Sequence, residues 1–233
     1  MAAKWLPSGG RILDIGCGNG GFLMRMQAMG FAVEGTEWTQ PSAARVPAST
    51  GIPVHVGDLL SLDLPRQSFD LITLWHVFEH LRNPPQTLER IRELLKPGGT
   101  LIMSMPNAES WQARMFGTSW FHHDPPRHLF GFGRASLVRL LNSCGFVERE
   151  FHCYSMEQNP YGFIQSALNA CGWPRDRAYT TLKGLGKVSG GTRLVDLSMV
   201  ALLAGPAVAL SVVEDACRRG ATMTVVATRT DQA

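Results

Sequence analysis

The sequence holds no CxxC pair, no internal repeat and no low-complexity tract, and its charges are nearly balanced. Its five cysteines, at 17, 144, 153, 171 and 217, are odd in number and far apart. That spacing speaks against a disulfide scaffold or a zinc site and for reduced thiols, mostly in the core. With 22 Lys and Arg against 19 Asp and Glu, the net charge of +3 is too mild and too evenly spread to announce nucleic acid as a partner, though a lipid or acidic surface stays open. The opening MAAKWLPSGGRILDIG has no apolar core of the kind an export signal carries, so the expected compartment is the cytoplasm.

What is present is alternation. The apolar runs RILDIG, FAVEGTE, PVHVGD, FDLITLW and TLIMSMP are strand-like, and most of the stretches between them carry helical periodicity. That order predicts a parallel sheet flanked by helices. Asn83, Pro84 and Pro85 open the clearest helix, Leu88, Ile91, Leu94 and Leu95 give its apolar face, and Lys96-Pro97-Gly98-Gly99 stops it. An irregular aromatic stretch follows at 106–133, then a helix near 134–144, a strand near 146–153 and a last strand at 223–229. The fold expected is Rossmann-like α/β with a seven-stranded, mostly parallel sheet. Residues 1–153 and 220–233 form the sheet domain, and 154–219 form a helical cap inserted between the last two strands.

The first strand runs into Gly16-Cys17-Gly18-Asn19-Gly20-Gly21. Glycines at such a turn let the backbone bend sharply and approach a ligand without Cβ clashes. Gly16, Gly18 and Gly21 satisfy the dinucleotide pattern GxGxxG, and Glu37 stands about 20 residues on, where an acid binds ribose hydroxyls. On these residues alone a nicotinamide-dependent oxidoreductase and a methyltransferase are both open, as is a catalytically silent cofactor-binding protein.

The wider constellation resembles the class I S-adenosylmethionine-dependent methyltransferases: Asp14 two positions before the first glycine, and Gly16, Gly18 and Gly20 as GxGxG. The segment 69–81, FDLITLWHVFEHL, with LLKPGG at 94–99, resembles the branch holding the ubiquinone-pathway O-methyltransferases and sugar and natural-product methyltransferases. The resemblance implies S-adenosylmethionine as cofactor, held around Asp14, Gly16, Cys17, Gly18 and Gly20. It assigns Glu37 to the ribose hydroxyls, Trp38 to the adenine face, Asp58 and the following Leu59 to the adenine edge, and Trp75 and His76 to the methionine part. A carboxylate suits paired hydroxyls or an exocyclic amine, and an indole suits a purine. Asp58 in Gly57-Asp58 also reads as a plain turn residue.

Methyl transfer to a hydroxyl needs alignment and a base. His76, Glu79 and His80, spaced i, i+3 and i+4, can share one face and serve a base or a divalent cation, while Glu79 and His80 read more simply as groups that cap and order the loop after the fourth strand. Quinone-pathway relatives carry an acid where this chain has His76, which weakens a magnesium assignment, and no metal is expected. The second cluster, 120–130 (WFHHDPPRHLF), offers His128 as first choice of base with Arg127 or Asp124 orienting it. The alternative is a structural network in which Arg127 pairs with Asp124 and His128 bonds the backbone. O-methylation of a small or lipid-like molecule is the expected reaction. The displaced Asn83-Pro84-Pro85-Gln86 and Asp124-Pro125-Pro126-Arg127 do not match the amino-methylating nucleic-acid pattern, so nucleic acid is not the expected substrate.

Residues 197–213 carry no charge, a stretch at the lower limit for a bilayer span and interrupted by Gly205-Pro206. Upstream, Arg175, Arg177, Lys183, Lys187 and Arg193 surround the single acid Asp176. A basic flank beside an apolar helix fits a cap that touches a membrane surface and admits an apolar substrate. A buried helix pair that covers the sheet, or a homodimer interface, is the more ordinary reading of the same stretch.

Overall fold

The computed structural model describes residues 2–153, 155–175, 177–182, 184 and 189–230. Asp176, Lys183 and Lys187 of the upstream basic flank therefore lie outside the described residues. In chain order the elements are β1 (Arg11–Ile15), α1 (Gly21–Ala28), β2 (Ala32–Glu37), α2 (Gln40–Ala43), β3 (Val54–Val56), β4 (Phe69–Trp75), α3 (Pro84–Leu94), β5 (Leu95–Pro106), α4 (Trp111–Phe116), α5 (Arg134–Ser143), β6 (Phe146–His152), α6 (Gln158–Ala170), α7 (Arg177–Leu182), α8 (Gly190–Ala216) and β7 (Thr222–Arg229). The sheet has seven strands in the order β3-β2-β1-β4-β5-β7-β6, and the helical insertion falls between β6 and β7 as expected.

The pairings β1–β2, β1–β4, β2–β3 and β4–β5 are parallel. β1 lies inside the sheet, and Ile12, Leu13, Asp14 and Ile15 are all buried, the continuous burial that a parallel strand covered on both faces requires. Chain order reverses at β1, which has β2 on one side and β4 on the other. Such a reversal opens a crevice beyond the carboxyl ends of the strands. Helix α3 follows the apolar pattern, burying Leu88, Ile91 and Leu94 behind a proline start at Asn83. The chain passes straight from α3 into β5, whose first residues Leu95–Gly99 extend along β4 with a register shift between Phe69 and Leu71. Lys96–Gly99 thus ends the helix by becoming strand rather than loop.

The chain divides into two compact units. The first, residues 1–105, 135–151 and 224–233, holds most of the sheet and a core in which Ile12, Leu23, Met26, Val33, Leu71, Ile102 and Val226 pack together. The second comprises 106–134 and 152–223, so the segment after β5 groups with the helical insertion. In this unit Gln112 Nε2 donates to Glu214 Oε2 at 2.9 Å and to the Asn159 carbonyl at 3.0 Å. Asn159 in turn donates to the Cys153 carbonyl at 2.8 Å and accepts from Thr222 N–H at 3.0 Å. Ile164, Leu168, Ala178 and Ala207 form its apolar centre.

Helix α8 runs unbroken through Pro206, where an interruption was expected. Proline deletes one backbone donor and crowds the carbonyl four residues back. Pro206 and Leu202 both lie on the exposed side, where solvent meets the carbonyl that the proline leaves without its helical partner.

Candidate cofactor and active site

Gly16, Gly18 and Gly20 have φ of 69°, 60° and 75°, the left-handed region that only glycine adopts without strain. At Gly16 a Cβ would also sit 2.6 Å from Val77 Cγ2. The loop is tied to the end of β2: the Gly16 and Cys17 N–H groups donate to the Thr36 carbonyl at 2.9 and 3.1 Å, and the Gly18 N–H donates to Glu37 Oε1 at 2.6 Å. The Glu37 carboxylate is thereby held at the mouth of the crevice between the ends of β1, β2 and β4.

A cavity of about 930 Å³ occupies that crevice. Among the expected site residues Gly16, Glu37, Trp38, Asp58, Leu59 and His76 line it. Trp38 leaves 62% of its surface exposed. The Gly57 N–H donates to the Glu37 carbonyl at 2.9 Å, which joins the end of β3 to the end of β2. Asp58 then accepts the Leu60 N–H on Oδ1 at 3.1 Å, so it orders its turn while facing the cavity.

The remaining expected residues take other places. Asp14 is buried in β1, where Thr73 Oγ1 donates to its Oδ1 at 2.6 Å. Burial raises its carboxyl to about 7, against the Thr73 hydrogen bond that lowers it and with the Glu37 charge that raises it further. Cys17 fills the space beside Gly35, where a Cβ would stand 2.6 Å from its Sγ. Burial, with the charges of Asp14 and Glu37, pushes its thiol up to about 12, the behaviour of a packing residue and not of a nucleophile. Trp75 was expected beside the cofactor, but it packs against Phe22 with ring centroids 5.4 Å apart and joins the core cluster. Trp75 is the last residue of β4, and His76, just beyond it, turns onto the cavity through its positive φ.

His76 has φ of +55°, an uncommon backbone for a residue with a side chain, and its N–H donates to the Ser104 carbonyl at 2.8 Å. Its Nδ1 lies 3.5 Å from Oε1 of Glu79, whose side chain is 2% exposed. Neither oxygen of Glu79 has a hydrogen-bond partner among the described residues. From sequence alone Glu79 reads as an ordinary loop-ordering group, yet a buried carboxylate without a formed hydrogen bond is costly and marks a site.

His128 belongs to the second unit, where its Nδ1 meets the His122 carbonyl at 2.7 Å. Arg127 pairs with Asp124 there, and the His128 N–H donates to the Asp124 carbonyl at 2.9 Å. The cluster thus contains the backbone-bonded histidine and the Arg–Asp pair of the structural alternative. Several cavity residues were not anticipated: Val77, Arg45, Leu81 and Thr87. Val77 could have been read as the neighbour of His76. Arg45 follows the four-residue α2, too short to show any periodicity.

Residues 1–149 match the family described as the methyltransferase domain. Over 157 residues the chain is 28% identical to a ubiquinone biosynthesis O-methyltransferase of Paraburkholderia phymatum, covering 62% of this chain and 67% of that protein. Over 159 residues it is 28% identical to a tRNA U34 carboxymethyltransferase of Desulfotalea psychrophila, covering 64% of this chain and 50% of that one. The chain thus spans between half and two thirds of the length of these curated relatives. Its fold is that of an S-adenosylmethionine dependent methyltransferase from Mesorhizobium loti, with a TM-score of 0.56 at 20% identity over 97% of this chain and 95% of that one. A match reaching from the first residue to the start of β6 takes in the glycine loop, Glu37 and the His76 segment together, and the chain belongs to the class I S-adenosylmethionine-dependent methyltransferases.

Proposed function

We propose that the protein methylates a hydroxyl oxygen of a small, apolar molecule and that His76 is its general base. The observation that carries this reading is the pairing of His76, on the cavity wall, with the buried Glu79. A proton on Nδ1 faces Glu79, and at 3.5 Å the carboxylate acts through its charge more than through a formed hydrogen bond. Nε2 then serves as acceptor for the substrate hydroxyl proton, with Glu79 orienting the ring.

The cavity fits the cofactor by its glycine cradle, which a Cβ would fill at Gly16. When bound, S-adenosylmethionine supplies an electrophilic methyl group carried on a sulfonium. Gly16, Gly18 and Gly20 let the backbone approach it, and Asp14, buried in β1 just before them, would give up its proton on pairing with the cationic amino group of the cofactor's amino acid part. Glu37, anchored through Oε1 on the Gly18 N–H, offers Oε2 to the ribose hydroxyls. Trp38 offers its exposed ring to the adenine, and Asp58 its second oxygen to the adenine amine. Cys17, Cys144, Cys153, Cys171 and Cys217 are all free, which supports a reducing, cytoplasmic setting.

Radiolabelled methyl transfer to a panel of phenols, sugars and lipids tests the reading. The wild type is expected to label a hydroxyl compound. His76→Gln is expected to lower kcat about 100-fold or more and to flatten the rising limb of its pH profile, with S-adenosylhomocysteine affinity unchanged. An unchanged kcat in His76→Gln with a collapse in His128→Gln would move the base to His128.

A further inference from the structure

Helix α8 spans 27 residues, about 40 Å, and carries an uncharged stretch from 194 to 213 apart from the buried Asp196. One narrow stripe of it, Asp196, Ala207, Ser211 and Glu214, is buried within its unit. The opposite face is apolar and open: Leu194 is 68% exposed, Leu202 69% and Val212 54%, and Val195, Leu197, Val208 and Val213 are also exposed. Only 17% of its most apolar window is buried. An open apolar face of this extent marks a docking surface.

Its ends identify the occupant. Arg193 is exposed at the start of the helix, and Arg218 is exposed with Arg219 half-buried just past its end. The acids of the helix are withdrawn: Asp196 and Glu214 are buried and Asp215 is half-buried. Two copies of α8 paired antiparallel would set Arg193 against Arg218 and Arg219, with the half-buried Asp215 as the one offset. A parallel pair would set each arginine against itself. Anionic headgroups, by contrast, complement both ends at once.

The helix is long and apolar enough to cross a bilayer by length and composition, but its packing opposes this. Asp196 accepts hydrogen bonds from Trp173 Nε1 at 3.1 Å and Thr181 Oγ1 at 2.7 Å, with Arg177 Nε at 2.8 Å. Glu214 is held by Gln112. These contacts fasten both ends of the buried stripe, and a crossing helix would have to break them in hydrocarbon. We propose that α8 lies flat in the headgroup region of an anionic membrane, with Leu194, Leu202, Val208 and Val212 in the acyl boundary and Arg193 and Arg218 on the lipid phosphates.

This inference stands apart from the reaction assigned above and is tested without substrate. The full chain is sedimented with vesicles of phosphatidylcholine alone and of phosphatidylcholine mixed with phosphatidylglycerol. Binding to the mixed vesicles is expected to be at least about tenfold stronger and to weaken with added salt. Leu202→Glu with Val212→Glu is expected to abolish it. Arg193→Glu with Arg218→Glu is expected to remove the preference for the anionic lipid. All of these positions are on the surface, so the thermal unfolding midpoint of each variant should match the wild type and so separate lost docking from lost folding. No binding to either vesicle, or binding that the face substitutions leave intact, would overturn the proposal. So would a wild-type dimer in sedimentation velocity that the face substitutions dissolve, which would make a second copy the occupant.

Discussion

Each unit buries an aspartate, Asp14 in the first and Asp196 in the second, and the two are treated in opposite ways. Asp14 has the Thr73 hydroxyl and the repulsion of Glu37, and burial lifts its carboxyl to about 7. Burial pushes Asp196 up as well, but the hydrogen bonds from Thr181, Arg177 and Trp173 and the charge of Arg177 bring it below its ordinary value. A fully satisfied buried acid is a fastening. One left short of donors, next to a glycine cradle and a cavity, is a group waiting for a cation or a proton.

The largest effect expected from this contrast is on the fastening. Asp196→Ala leaves the Trp173, Thr181 and Arg177 donors without their acceptor and should cost about 3–5 kcal/mol in chemical denaturation. A loss near zero would place Asp196 outside the structural network. Next comes the pH dependence of the apo protein, where the two acids have opposite signs. Between 3.8 and about 7 the folded Asp14 holds a proton that the unfolded chain has released. Stability should therefore fall as pH rises through that window, by roughly 2–4 kcal/mol in all. Asp14→Asn, which keeps an acceptor for Thr73, should flatten this limb and weaken cofactor affinity. The contribution of Asp196 runs the other way: it is complete above the ordinary aspartate range and disappears as pH falls through it. A wild-type curve without the neutral limb would contradict the assignment of Asp14. The smallest effect is expected at Trp38. Replacing that exposed ring by Ala should leave stability within about 0.5 kcal/mol and raise the Kd for S-adenosylhomocysteine about tenfold.

The contrast also explains what could be read in advance. Asp14, the glycines and Glu37 fall on two neighbouring strands at short fixed spacings, so their purpose is written in local order, and α3 is equally plain from its apolar periodicity. Asp196 draws its partners from Trp173, Arg177 and Thr181, which show no spacing signal because three-dimensional packing alone brings them together. The packing of Trp75 on Phe22 could not be read from motif proximity, and Pro206 was overweighted because its solvent exposure could not be known. The Glu79 carboxylate looked like a loop cap until its burial and its missing donors appeared.

The most direct test of the central claim is calorimetric titration of wild type and Glu37→Ala with S-adenosylmethionine, S-adenosylhomocysteine and NAD. The account predicts that the wild type binds the first two and that Glu37→Ala weakens both about 100-fold, the loss of charge-assisted bonds to the ribose hydroxyls. Binding of NAD alone, or equal affinity of wild type and Glu37→Ala for S-adenosylmethionine, would contradict it.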